Sequence, residues 1–64
     1  MDFVLKINCD NDAFGDNALS RDIEVSYILG RIAQSLEDGK SYGTIRDTNG
    51  NTVGEYEYIP SGKE

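Results

Sequence analysis

Sixty-four residues with a net charge of −6, one cysteine and no histidine describe a single small acidic domain. A chain of this length buries only about 60% of the surface its unfolded form exposes, so one copy alone is marginal. An internal disulfide and a Cys/His zinc site are both excluded, which leaves an economical core or self-association as a homodimer.

Twelve acidic residues against six basic ones disfavour nucleic acid, whose phosphates are met by Lys and Arg. A charged partner is expected to be a protein with a basic surface. The same charge also keeps a small protein soluble. A lone Cys9 fits a reducing compartment. The stretch Met1–Lys6 lacks the basic start and long apolar run of a signal peptide. No apolar run approaches the roughly 20 residues needed to cross a membrane, so a cytoplasmic location is expected.

Phe3, Leu5, Ile7 and Cys9 alternate with Val4, Lys6, Asn8 and Asp10. Period two predicts a strand over about 2–8 with one buried face. The segment from Asp10 to Ser20 is rich in Asp, Asn and Gly and reads as a loop pinned by Phe14 and Leu19. A helix is predicted over 21–37, with Val25, Leu29, Ile32 and Leu36 on its apolar face and Ile28 and Ala33 at the flanks. Ser20 is the expected N-cap, Asp22 and Glu24 the first-turn acids, and Gly39 the left-handed stop. Gly30 costs about 1 kcal/mol relative to Ala and suggests close packing on a strand or a second copy.

Residues 42–46 and 52–59 form a predicted hairpin around Asp47-Thr48-Asn49-Gly50-Asn51. A two-residue Asn49-Gly50 turn would set Ile45 opposite Gly54. A three-residue Thr48-Asn49-Gly50 loop would set Ile45 opposite Val53 and Tyr42 opposite Tyr56, with Gly50 in a left-handed bulge position. The second is preferred, because like side chains then face each other. It gathers Tyr42, Tyr56 and Tyr58 on one face, with Ile45 and Val53 on the other. The predicted fold is α+β, in the order β-α-β-β. One helix packs on one face of a three-stranded, mainly antiparallel sheet with β3 central. Parallel pairing of the first two strands is the alternative. Residues 59–64 read as a polar, frayed tail.

No catalytic constellation emerges. The Asp10–Asn17 run lacks a ligand at its fifth position, Phe14, and a Glu at its twelfth, Arg21, so it is not a calcium loop. In Asp47–Asn51 the glycine falls at the fourth position instead of the sixth. No histidine exists to activate Ser or Cys, and Cys9 reads as core. Glu55 and Glu57 alternate with tyrosines on a strand, which describes a solvated acidic face better than an acid–base pair. The expectation is therefore a protein with no enzyme activity, no cofactor and no metal. Its expected partner-binding residues are Tyr56, Glu55, Glu57, Tyr58 and Tyr42, with Asp10, Asp12 and Asp16 second.

Four segments together carry a resemblance. They are Phe3-x-Leu5-x-Ile7, Asp10-Asn11-Asp12-Ala13-Phe14, Glu24-Val25-x-x-Ile28-Leu29-x-x-Ile32-Ala33-x-x-Leu36-x-x-Gly39, and Gly43-x-Ile45-x-Asp47-x-Asn49-Gly50-Asn51-x-Val53-Gly54. Over residues 3–58 the chain resembles short uncharacterised proteins of bacteriophages and mobile elements. The resemblance implies a phage origin and a bacterial host cytoplasm, and transfers no functional residue. By analogy of class, it implies an inhibitor of host defence, such as an anti-CRISPR protein, that binds its target stoichiometrically. Two other classes stay open: a single-stranded nucleic-acid or recombination accessory protein using exposed tyrosines, and a structural, self-assembling phage protein.

Overall fold

In the computed structural model, which describes residues 1–61, the elements follow the order β-α-β-β. They are β1 (Asp2–Ile7), α1 (Ala18–Glu37), β2 (Gly43–Arg46) and β3 (Thr52–Ile59), with one turn of 3-10 helix at Asp12–Phe14. The sheet order is β1-β3-β2 and both pairings are antiparallel. The protein is thus a small α+β fold with β3 central, as the sequence predicts, and the parallel alternative is excluded. β3 ends at Ile59, opposite Asp2, at the bound predicted for the strand; of the expected tail, residues 62–64 lie outside the described residues.

The helix begins three residues earlier than its predicted start. Asn17, not Ser20, is the N-cap: its Oδ1 accepts the Ser20 N–H at 2.9 Å. Asp22 and Glu24 therefore fall beyond the first turn, which holds no acid. The C-terminal end is as predicted. Gly39 has φ 90°, its N–H meets the Leu36 carbonyl at 3.0 Å, and the Lys40 N–H meets Ser35 at 2.9 Å. The buried stripe is rotated relative to the expected one. Glu24, Ile28 and Ile32 are buried, whereas Leu29 is 45% exposed and Ala33 is exposed. Leu19, expected to pin the loop, is 71% exposed. Gly30 is exposed, and no described residue lies within 4 Å of where its Cβ would stand, so it serves no close packing among the described residues.

The hairpin combines the two registers weighed from sequence. Its loop is the three-residue form: the Asp47 N–H donates to the Asn51 carbonyl at 2.9 Å, and Gly50 has φ 86°. That left-handed value is why glycine stands there. Beyond the loop, Val53 is an extra residue on β3, so Arg46 faces Thr52 but Ile45 faces Gly54. The expected Ile45–Val53 and Tyr42–Tyr56 pairs do not form; Gly43 pairs with Tyr56. Gly54 lies where β1 crosses close by, and a Cβ there would overlap the Lys6 carbonyl oxygen.

The core joins Phe14, Ile28, Ile32, Ile45, Val53 and Tyr56, with Leu5, Ile7, Cys9 and Val25 packed around it. Phe14 and Ile28 are each 1% exposed. Burying such a side chain contributes about 1.5–3 kcal/mol. Phe3 extends the inner face along β1, its ring centroid 5.1 Å from Tyr58 and 6.1 Å from Tyr56. The helix covers this face only, so among the described residues nothing packs on the other face of the sheet.

Candidate functional site

Two places gather polar side chains, and they differ in kind. The first is the hairpin tip. Asp47 Oδ1 accepts the N–H groups of Asn49 and Asn51, both at 2.9 Å, and its Oδ2 accepts the Asn11 amide at 2.6 Å. Glu24 reaches the same tip from α1: its Oε2 accepts the Thr48 N–H at 2.9 Å, and the Thr48 hydroxyl lies 2.6 Å from Oε1. Both carboxylates are buried, and neither forms an ion pair among the described residues. Hydrogen bonds take the place of cations.

Asn11 links this tip to the acidic loop. Its Oδ1 accepts the Ala13 N–H at 3.0 Å and its carbonyl accepts the Phe14 N–H at 3.1 Å, which starts the 3-10 turn. Phe14 is thereby driven into the core. At Asp47, burial raises the pKa. The hydrogen bonds from the Asn51 N–H, the Asn11 amide and the Asn49 N–H outweigh burial and hold the carboxyl below its ordinary value. This cluster is a lock between loop, helix and hairpin, with its acceptors already occupied.

The second place is the uncovered face of the sheet. Alternation along β3 sends Glu55 and Glu57 to this side. The register sets Lys6 and Thr44 beside Glu55 and Val4 beside Glu57. Tyr42 precedes β2 in the same phase, and with Gly43, Thr44, Glu55, Glu57 and the rim of Tyr56 it borders a shallow depression. Tyr42 is 76% exposed and Val4 is 41% exposed. Neither Glu55 nor Glu57 has a cation within salt-bridge distance among the described residues.

The structure thus divides the predicted binding set. Tyr42, Glu55 and Glu57 come together on the uncovered face. Tyr58 lies on the opposite, helix-side face beside Phe3, 46% exposed. Tyr56 is 5% exposed, and its hydroxyl donates to the Lys40 carbonyl at 3.1 Å, so it is a core residue. The three-tyrosine face is therefore corrected: the bulge at Val53 reverses which side of the hairpin Tyr56 and Ile45 share. Asp10, Asp12 and Asp16 are exposed on the loop that packs against α1, on the helix side of the sheet. They form a separate acidic region.

Sequence reasoning missed Asn11, Glu24, Asp47 and Thr48 as one unit. The available signal was an acid, Glu24, on the flank of an otherwise apolar helical stripe. Among the described residues, no three His, Cys, Asp or Glu side chains gather closely enough to hold a metal ion. No described helix is long and apolar enough to cross a membrane. No family model matches the chain, and neither a curated protein nor a solved structure matches it.

Proposed function

We propose that this chain is a binding protein that docks the uncovered face of its sheet on a basic surface of another protein. The observation that carries the reading is the pair Glu55 and Glu57. They stand side by side on the central strand, exposed, with no cation at contact distance among the described residues and with Tyr42 and Val4 at their flanks. A rigid sheet presents these carboxylates at fixed spacing, about 7 Å apart along the strand. Arg and Lys of a partner complement such a row, and Tyr42 supplies an aromatic anchor at its margin.

In keeping with the resemblance to short phage proteins, the partner is a bacterial host protein whose basic surface otherwise meets nucleic acid. Binding is stoichiometric and non-catalytic, an anti-CRISPR-type inhibition in the host cytoplasm. The tyrosine distribution favours this over single-stranded nucleic-acid binding, since Tyr42 and Tyr58 lie on opposite faces and Tyr56 is interior. The three tyrosines therefore do not form one stacking platform.

Affinity capture from host lysate tests the proposal. The wild type is expected to retain a basic host protein at low salt and release it as salt rises. Glu55→Lys/Glu57→Lys is expected to lose that protein while keeping its fold. Retention of the same protein by the charge-reversed variant overturns the assignment of this face.

A further inference from the structure

A three-stranded sheet in the order β1-β3-β2 has two outer strands, and among the described residues this chain treats their edges differently. At β2, the Arg31 guanidinium reaches from α1 and donates to the Arg46 carbonyl at 2.9 Å. The edge is only four residues long and already carries a charged plug. At β1 the edge is six residues long. The Asn8 N–H donates to the Val53 carbonyl at 2.7 Å, which sets the parity of the ladder. Asp2, Val4 and Lys6 therefore turn their backbone groups to β3, and Phe3, Leu5 and Ile7 turn theirs outward. Ile7 receives only a 3.9 Å contact from the Cys9 thiol at its carbonyl. No other hydrogen bond among the described residues engages the backbone of Phe3 or Leu5 on this side.

We propose that a second copy of this chain occupies this edge, β1 against β1, antiparallel about a two-fold axis at Val4. The argument is charge complementarity in a fixed register. The strand reads Asp2-Phe3-Val4-Leu5-Lys6, so reversing it about Val4 exchanges an acid for a base. Asp2 then lies opposite Lys6 of the second copy, and Lys6 opposite its Asp2. Both pairs stand on the uncovered face. Phe3 lies opposite Leu5 of the second copy on the helix side, and these are the residues whose N–H and C=O groups point outward.

Val4 meets its own copy as a non-hydrogen-bonded pair, consistent with its inward-facing backbone. A register centred on Leu5 sets Lys6 against Val4 and Asp2 against Asn8. One centred on Phe3 sets Asp2 against Val4. Only the Val4 register pairs opposite charges. It also covers Phe3 and Val4, which are 42% and 41% exposed in one copy. The two-fold axis stands perpendicular to the sheet, so both helices stay on one side and the uncovered faces join into one six-stranded surface. Self-association would add buried apolar surface to the small core of so short a chain.

Sedimentation equilibrium of the purified protein tests the proposal with no host partner present, so its outcome is separable from that of the capture experiment. The wild type is expected to be a dimer. Lys6→Asp and Asp2→Lys each replace attraction by repulsion at two symmetry-related sites, and each is expected to weaken the dimer at least about tenfold. The double variant Asp2→Lys/Lys6→Asp is expected to restore it. In a Cys9→Ser background, Val4→Cys is expected to form an intermolecular disulfide on air oxidation, because facing non-hydrogen-bonded positions bring Cβ atoms within disulfide reach. Circular dichroism confirms that each variant is folded. A monomeric wild type, a dimer indifferent to both single reversals, or a folded double variant that stays monomeric overturns the proposal.

Discussion

The hairpin tip and the uncovered sheet face are both rich in carboxylates, yet they stand in opposite chemical conditions. At the tip, Asp47 and Glu24 are buried and hydrogen-bonded to N–H and O–H donors of the same chain. On the sheet, Glu55 and Glu57 are exposed and no cation contacts them among the described residues. Charged side chains whose capacity is spent internally hold a fold together. Those whose capacity is unspent are available to a partner. The contrast teaches that acidic residues in this chain are sorted by hydrogen bonding, not by proximity in sequence.

The largest expected effect belongs to the tip. Asp47→Asn is expected to lower the melting temperature at neutral pH more than Glu24→Ala or any sheet-face substitution, because it removes the charge that three donors serve. It also changes the pH response. The Asp47 pKa is depressed in the folded state. Its stabilisation is therefore present above the unfolded carboxylate pKa and is lost as pH falls through the lower, folded value. Thermal melts recorded from about pH 5 downward should show a shallower acid loss in Asp47→Asn than in the wild type. Parallel slopes would show that this carboxylate is not the one titrating.

Glu24→Ala comes next. It strips Thr48 of its helix-borne acceptor and is expected to cost about 2 kcal/mol in urea unfolding, the worth of hydrogen bonds to a charged group. A change below about 0.5 kcal/mol would place Glu24 among ordinary surface acids. Gly30→Ala acts in the other direction. The site is open and helical, so the substitution is expected to stabilise by about 1 kcal/mol. Destabilisation would reveal a close neighbour at that position. The smallest effect is reserved for the sheet face. Glu55→Gln and Glu57→Gln are each expected to change stability by less than about 0.5 kcal/mol. A larger loss would move these residues into the same class as the tip and end the comparison.

Much of the fold was legible because local signals agreed. Alternation from Phe3 to Cys9 announced β1, Gly39 announced the helix stop, and Asp47 to Gly50 announced the turn. What escaped was any feature depending on a residue far away in sequence. The bulge at Val53 is one. Matching Ile45 with Val53 looked favourable as a local pair, but the core gains both side chains by letting Val53 stand outside the β2 ladder. Strand periodicity is two, so that single inserted residue reversed the side assigned to Tyr56. The same step divided the candidate site, sending Tyr56 inward while Glu55 and Glu57 stayed outside. Glu24 escaped for a related reason: its acceptor role is defined by Thr48, which lies on the hairpin. The Asn17 cap was concealed within a run of turn-forming residues, where Ser20 offered a competing hydroxyl.

The tip lock also bears on how this chain tolerates evolutionary drift. Asn11, Glu24 and Asp47 come from three separate segments and meet at one knot of hydrogen bonds. A change at Asn11 or Asp47 strands the other, and a change at Glu24 strands Thr48, so drift there needs coordinated substitutions. Relatives that diverge widely would keep this trio while they reshape the outer strand positions for new partners. Invariance at residues 11, 24 and 47 would then mark heritage of the scaffold, and turnover at residues 42, 55 and 57 would mark the pressure exerted by whatever the protein meets.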